Sequence, residues 1–102
     1  MNVKVRLLGL LKKAYGKSEL SIELSEGSRL KDLISKITLE SETLKNVLLD
    51  SELKDPRPNT IILINGKEIS VLGGLEAEIK EGDEITIIPV IHGGLGGRDI
   101  AV

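Results

Sequence analysis

The chain opens on strict alternation. Val3, Val5 and Leu7 are apolar, and Lys4 and Arg6 stand between them, a period of two that predicts a strand with one wet face. Leu20, Ile22 and Leu24 alternate in the same way with Ser21 and Glu23. The segment between them, Leu8 to Lys17, contains Gly9 and Gly16 and reads as the end of the first strand and a connecting turn. Two alternating runs joined by a glycine-containing link predict an antiparallel hairpin.

The period then changes. Ser25-Glu26-Gly27-Ser28 is a turn, and the Ser28 hydroxyl is placed to cap a helix by accepting an amide of its first turn. Leu30, Leu33, Ile34 and Ile37 follow at i, i+3, i+4 and i+7, the stripe of a helix over 29–38 that packs on the sheet. Ser41 is positioned to cap a second, shorter helix carrying Leu44, Val47 and Leu48. Asp50 to Asn59 is polar and holds Pro56 and Pro58, which disfavour helix at the residues before them, so it reads as a loop. Thr60-Ile61-Ile62-Leu63-Ile64 is an unbroken apolar run, as in a central strand covered at least partly on both faces.

Asn65-Gly66 is a tight-turn signal, after which Lys67-Glu68-Ile69 returns as a short strand. Val71 to Leu75 is a link kinked at Gly73-Gly74. Glu81-Gly82-Asp83 turns the chain into a last strand from Glu84 to Ile91. Strand, strand, helix, short helix, strand, short strand, strand describes a small α+β roll. If Ile85, Ile87 and Pro89 face the helix, Thr86, Ile88 and Val90 point to the opposite sheet face, where apolar side chains mark a partner surface.

Composition narrows the function. The chain has 102 residues, one domain's length, and its formal net charge is −2 with the basic residues scattered. Tyr15 is the sole aromatic and reads as a packing residue. Base stacking and a phosphate-binding footprint are both disfavoured, so no nucleic-acid partner is expected. Cysteine is absent, which removes thiolate metal sites, cysteine nucleophiles and disulfides. His92 is the only histidine and no metal cluster is expected around it. Neither a signal peptide nor a membrane-length apolar run is visible, so a cytoplasmic protein without a membrane partner is expected. No nucleophile–base pair or phosphate loop suggests catalysis by the chain itself.

The last segment has a different character. Pro89-Val90-Ile91-His92-Gly93-Gly94 is followed by Leu95-Gly96-Gly97-Arg98-Asp99-Ile100-Ala101-Val102. Glycine, lacking a Cβ, enters narrow slots that exclude other residues, and glycine-rich ends are flexible. The expected division is therefore a folded domain over 1–91 and a flexible tail over 92–102.

In this order the sequence resembles the β-grasp sulfur carriers and ubiquitin-like modifiers. These include the small subunit of molybdopterin synthase, the sulfur carrier of thiamine synthesis, the ubiquitin-related modifier and the archaeal small modifier proteins. The resemblance covers residues 1–94. It rests on the strand from Ile61 to Gly66 ending in Asn-Gly, the block from Gly73-Gly74-Leu75 through Glu81-Gly82-Asp83-Glu84-Ile85, and Pro89-Val90-Ile91-His92-Gly93-Gly94. It implies a β-grasp roll, a mixed sheet of four to five strands on one main helix.

It also implies a protein that is acted upon. An activating enzyme would adenylate the terminal glycine carboxylate, using ATP and Mg that the enzyme binds, while this chain holds no cofactor. The acyl group would pass to sulfur, giving a thiocarboxylate, or to a lysine of a target protein. A sulfur-accepting synthase subunit is the corresponding partner in the first case. The chain departs from the family pattern in that residues 95–102 follow Gly94. An amide-linked Gly94 has no carboxylate to activate, so processing is expected, with a metalloprotease as the implied partner. The strand register places Gly93 and Gly94 where the family has its pair, and Gly96 and Gly97 are the alternative. Thr86, Ile88, Val90 and His92 are the expected partner-binding residues. The competing expectation is a non-catalytic interaction subunit that uses the sheet face and lends Arg98 to Val102 as a strand to another chain.

Overall fold

The computed structural model describes residues 1–90. Strand β1 (Asn2–Leu7) buries every second side chain, and Val3, Val5 and Leu7 are at most 3% exposed. Each such aliphatic side chain contributes roughly 1.5–3 kcal/mol on burial, enough for the alternation to set the register. Strand β2 (Glu19–Glu23) pairs antiparallel with β1, Val3 opposite Ile22 and Val5 opposite Leu20.

The expected turn between them is a helix. Helix α1 (Gly9–Tyr15) buries Leu11 completely and half-buries Tyr15 against the core. It closes at Gly16, which adopts φ +93° and donates its N–H to the Lys12 carbonyl at 2.8 Å. Seven residues with one buried anchor leave a weak periodic signature, and the flanking glycines that suggested a turn are this helix's two ends.

Helix α2 (Leu30–Glu40) is the main helix, and Leu30, Leu33, Ile34 and Ile37 form its buried stripe. Ser28 does not cap it. The cap position is Arg29, whose N–H donates back to the Asp32 carboxylate at 2.8 Å. Ser28 instead spans a turn and a bridge, donating its N–H to Ser25 and accepting the Ile79 N–H on its carbonyl. An aspartate three residues into a helix satisfies a free amide as a capping hydroxyl would. Helix α3 (Glu42–Leu48) does begin as expected, with Ser41 Oγ accepting the Leu44 N–H at 3.1 Å.

Strand β3 (Thr60–Ile64), the two-residue strand β4 (Lys67–Glu68) and strand β5 (Glu84–Pro89) complete a five-stranded sheet ordered β2-β1-β5-β3-β4. β1 and β5 run parallel and the other neighbours are antiparallel. This is the β-grasp roll, with α2 across the sheet and α1 and α3 contributing Leu11, Leu44 and Leu48 to the same core.

Two expectations about the strands change. The central strand is β5, and β3 is covered on one face only. Thr60, Ile62 and Ile64 are buried, whereas Ile61 is 43% exposed and Leu63 is half-buried. The buried alternate residues of the strands join the helices in one cluster, so among the described residues the opposite sheet face carries no covering layer. β5 ends at Pro89, and Ile91 lies outside the described residues, as does the boundary expected between 91 and 92.

Asn65-Gly66 forms the expected turn, with φ +50° and +85°. Asn65 Oδ1 accepts the Glu84 N–H and Asn65 Nδ2 donates to Asp83, both at 2.9 Å, so the turn also ties β3 to the start of β5. Gly73 and Gly74, at φ +101° and +66°, kink the link between two short 3-10 turns as expected.

Candidate functional site

β5 gives the site its geometry. Its position between β1 and β3 holds both edges in ladders, so the strand's two faces are sharply distinct. Ile85 and Ile87 are fully buried on the helix side, and Pro89 continues that side against α1. Thr86 and Ile88 are half-buried on the other face, and Val90, just beyond the strand, is 37% exposed. The face assignment expected for Ile85, Ile87, Thr86 and Ile88 therefore matches the burial pattern.

The open face divides in two. Toward β2 it is charged. Arg6 lies 3.4 Å from Glu19 and 3.2 Å from Glu84, and Lys4 lies 3.8 Å from Glu19. These side chains are about half exposed, so each pair contributes no more than about 1 kcal/mol. Toward β3 it is apolar. Ile61 is registered opposite Ile88, and Leu63 opposite Thr86. Leu8, extended directly after β1 and 38% exposed, extends this half-face beside Ile88 by the alternation of the strand.

Ile61 and Leu8 are the members that sequence reasoning missed. The continuous apolar run of β3 hid which of its residues faced outward, and Leu8 was absorbed into the expected turn. The Asn65-Gly66 turn sets the register of β3 with β4 only, and it is the long-range pairing of β3 with β5 that puts Ile61 level with Ile88.

The apolar half-face lies at the end of the sheet from which the chain leaves. Val90 donates its N–H to the Asn59 carbonyl at 2.9 Å. Asn59 is held by its own N–H on the Pro56 carbonyl at 3.1 Å, and its side-chain amide approaches the carbonyls of Val47 and Leu48 at 3.5 Å. The preceding loop is braced by Arg57, whose guanidinium makes a two-nitrogen contact with the Asp55 carboxylate. That hydrogen-bonded guanidinium holds the Asp55 carboxyl below its ordinary value of 3.8. The remaining expected site residues, His92, Gly93, Gly94, Gly96 and Gly97, lie outside the described residues.

A cleft of about 690 Å³ opens at the other end of β5, lined in part by Arg29, Asn65, Lys67, Glu76, Lys80 and Asp83. Its charges are largely engaged. Arg29 donates to the Glu76 carbonyl at 2.8 Å, Lys31 pairs with the Glu76 carboxylate at 2.9 Å, and Asp83 accepts from Asn65 and the Lys80 amide. It lies by the turns at the start of β5, remote from the chain's exit. Among the described residues no three histidine, cysteine or acidic side chains gather as a metal site, and no helix is long and apolar enough to cross a membrane.

A ubiquitin-like roll whose last strand runs through the sheet centre, between a charged and an apolar half-face, is the class of protein that the fold and the site define. The sequence pattern of the ThiS family matches residues 5–94, and the chain belongs to that family. An Archaeoglobus fulgidus protein named as a candidate sulfur carrier is 35% identical over 95 residues, covering 92% of this chain and all of the relative. Ubiquitin-related modifier 1 of Schizosaccharomyces pombe is 31% identical over 99 residues, with 92% and 100% coverage. Among solved structures, small archaeal modifier protein 1 of Methanosarcina acetivorans superposes with a TM-score of 0.78 at 34% identity, covering 91% of this chain and 96% of that one. SAMP1 of Haloferax volcanii gives 0.79 at 16% identity, a likeness of fold alone. The relatives are thus sulfur carriers and ubiquitin-like modifiers.

Proposed function

We propose that this chain is a sulfur carrier and protein modifier whose terminal glycine is activated by a separate adenylating enzyme. The observation that carries the reading is the apolar half-face of Leu8, Ile61, Ile88 and Val90, which flanks the point where the chain leaves the sheet toward Gly93-Gly94. An enzyme docked there holds the body by burying apolar area while the glycine end enters its active site. The family match to residue 94 and the relatives named as carriers and modifiers support it.

The chemistry follows from the carboxylate. Processing after Gly94, for which a metalloprotease is the proposed agent, exposes it. Its oxygen attacks the α-phosphate of ATP, held with Mg by the enzyme, and pyrophosphate leaves. A persulfide sulfur then displaces AMP from the acyl carbon, and a thiol that splits the new S–S bond leaves a thiocarboxylate for a sulfur-accepting synthase subunit. A lysine amine displacing AMP gives a protein conjugate instead. The chain supplies the carboxylate, its placement and the docking face, and these steps are proposed to take place in the cytoplasm. Similarity to a Pyrococcus furiosus structure described as a candidate molybdopterin converting factor subunit 1, and to the Amycolatopsis orientalis BexX/CysO complex, is consistent with a partner subunit of this kind.

The test uses the form ending at Gly94, which keeps every described element. With ATP, Mg and an adenylating enzyme from the same cell, it is expected to support pyrophosphate exchange, and the 102-residue chain is not. Ile88→Glu is expected to weaken docking at least tenfold, about 1.4 kcal/mol, with the fold retained. Unchanged adenylation kinetics for that variant remove the docking face. Mass spectrometry that finds only the intact chain in the native host removes processing, and a species ending at Gly97 moves the activated residue. Loss of partner binding on truncation after Gly94, with no acyl transfer gained, supports the interaction-subunit reading instead.

A further inference from the structure

The end of β5 is seated against a glycine at which a side chain has no room without a shift. Gly9 opens α1 at φ +54°, and a Cβ built there lies 2.9 Å from Pro89 Cγ and 3.7 Å from Pro89 Cδ. The proline ring cannot swing aside as a long side chain would, because its torsion is closed on the backbone. A methyl at residue 9 therefore forces a shift of the ring, and of the end of β5 or the start of α1 with it, beyond what ring pucker absorbs. On the adjacent side Leu8 donates its N–H to Ile87 at 3.3 Å, and just beyond the ring Val90 donates to Asn59 at 2.9 Å. Asn59 reaches the end of α3 through its side-chain amide.

We propose that Gly9, Pro89 and Asn59 form a clamp that fixes where and in which direction the chain leaves the sheet, and that Gly9 and Asn59 are positioning residues for activation of the terminal glycine. The inference rests on the carrier reading above. Gly94 is the fourth residue after Val90, and a chain of that length spans at most about 14 Å. The position of the root therefore bounds the points that the carboxylate can reach, and at the reacting atoms a misplacement of about 1 Å costs up to about a hundredfold in rate.

The experiment separates placement from stability by comparing two glycines of the same helix. Gly16 shares the left-handed backbone, at φ +93°, but a Cβ there meets nothing within 4 Å. In the form ending at Gly94, Gly9→Ala is expected to lower adenylation turnover on the order of tenfold while docking affinity holds. Gly16→Ala, at a φ further from the left-handed region that L residues occupy, bears at least as much backbone strain and is expected to leave turnover unchanged. In the double variant Gly9→Ala, Pro89→Ala the added methyl fills space the ring vacates, and turnover is expected to return to within about threefold of the parent. Amide hydrogen exchange in the free protein gives a readout without the enzyme. Val90 is expected to exchange at least about tenfold faster in Gly9→Ala than in the parent or in Gly16→Ala. Equal turnover in Gly9→Ala and Gly16→Ala, a double variant no better than Gly9→Ala, or an unchanged Val90 exchange rate overturns the clamp. If no adenylating enzyme turns over the parent form, the carrier reading falls and the positioning role falls with it. In that case faster Val90 exchange in Gly9→Ala still identifies a structural clamp.

Discussion

Single residues set the geometry at both ends of β5. At its start Asn65 adopts φ +50° and spends both polar atoms of its side chain on Glu84 and Asp83. Asn65→Ala removes two hydrogen bonds and places a less tolerant residue in the left-handed region. The expected loss is about 2 kcal/mol, read as a lower urea midpoint at unchanged m-value. At its far end the loop carrying Asn59 depends on Asp55 and Arg57. The Asp55 carboxyl is held below its ordinary value by the Arg57 hydrogen bonds, so its contribution is present above the unfolded value of about 4. It is lost as pH falls through the folded value. Asp55→Asn is therefore expected to cost up to about 1 kcal/mol at neutral pH and to converge with the parent in acid. Urea denaturation at pH 7 and below pH 3 checks the sign, and a gap that widens in acid contradicts the assignment.

At the scale of elements, α1 is the piece whose role exceeds its length. Its buried anchor is Leu11, fully enclosed in the core, and its first residue abuts Pro89. Leu11→Ala is expected to destabilise the fold by about 3 kcal/mol through lost burial and the cavity left behind. Because α1 also seats the end of β5, this variant is expected to speed Val90 amide exchange more than that of Val5 in the β1 ladder. Equal acceleration at both sites would show that α1 unfolds only with the whole domain. The sheet has a comparable division of labour. β5 lies at the centre of the sheet, and β3 adds the exposed Ile61 to the apolar half-face.

For the whole molecule, placing every described helix on one core leaves the other sheet face uncovered among the described residues, as the proposed docking requires. Its charged half is internally paired, Lys4 and Arg6 against Glu19 and Glu84, so it presents little net charge. Docking on such a surface is expected to depend weakly on salt and strongly on apolar contact. Ile61→Glu, on the strand beside Ile88, is expected to weaken binding of the activating enzyme as much as Ile88→Glu does. Titration by calorimetry checks both, and a large effect of Ile88→Glu with none from Ile61→Glu would confine the contact to β5.

The sequence by itself determined the elements whose signal is local. Alternation specified β1 and β2, the i, i+3, i+4 stripe specified α2, and Asn65-Gly66 specified its turn, because those periods reflect backbone geometry directly. The order of the glycine and proline blocks pointed to the family that the match over residues 5–94 bears out. Tertiary structure alone decided what depends on neighbours distant in the chain. α1 exists because the core takes Leu11, not because seven residues prefer helix. The cap position fell on Arg29, one residue past Ser28, whose backbone is held in the turn with Ser25 and the bridge to Ile79 across the fold, and Asp32 reaches back to the Arg29 N–H. Ile61 is exposed because the helices pack on the other face, a choice that a continuous apolar run cannot encode. The contact of Gly9 with Pro89 joins residues eighty positions apart, and only the parallel pairing of β1 with β5 brings them together.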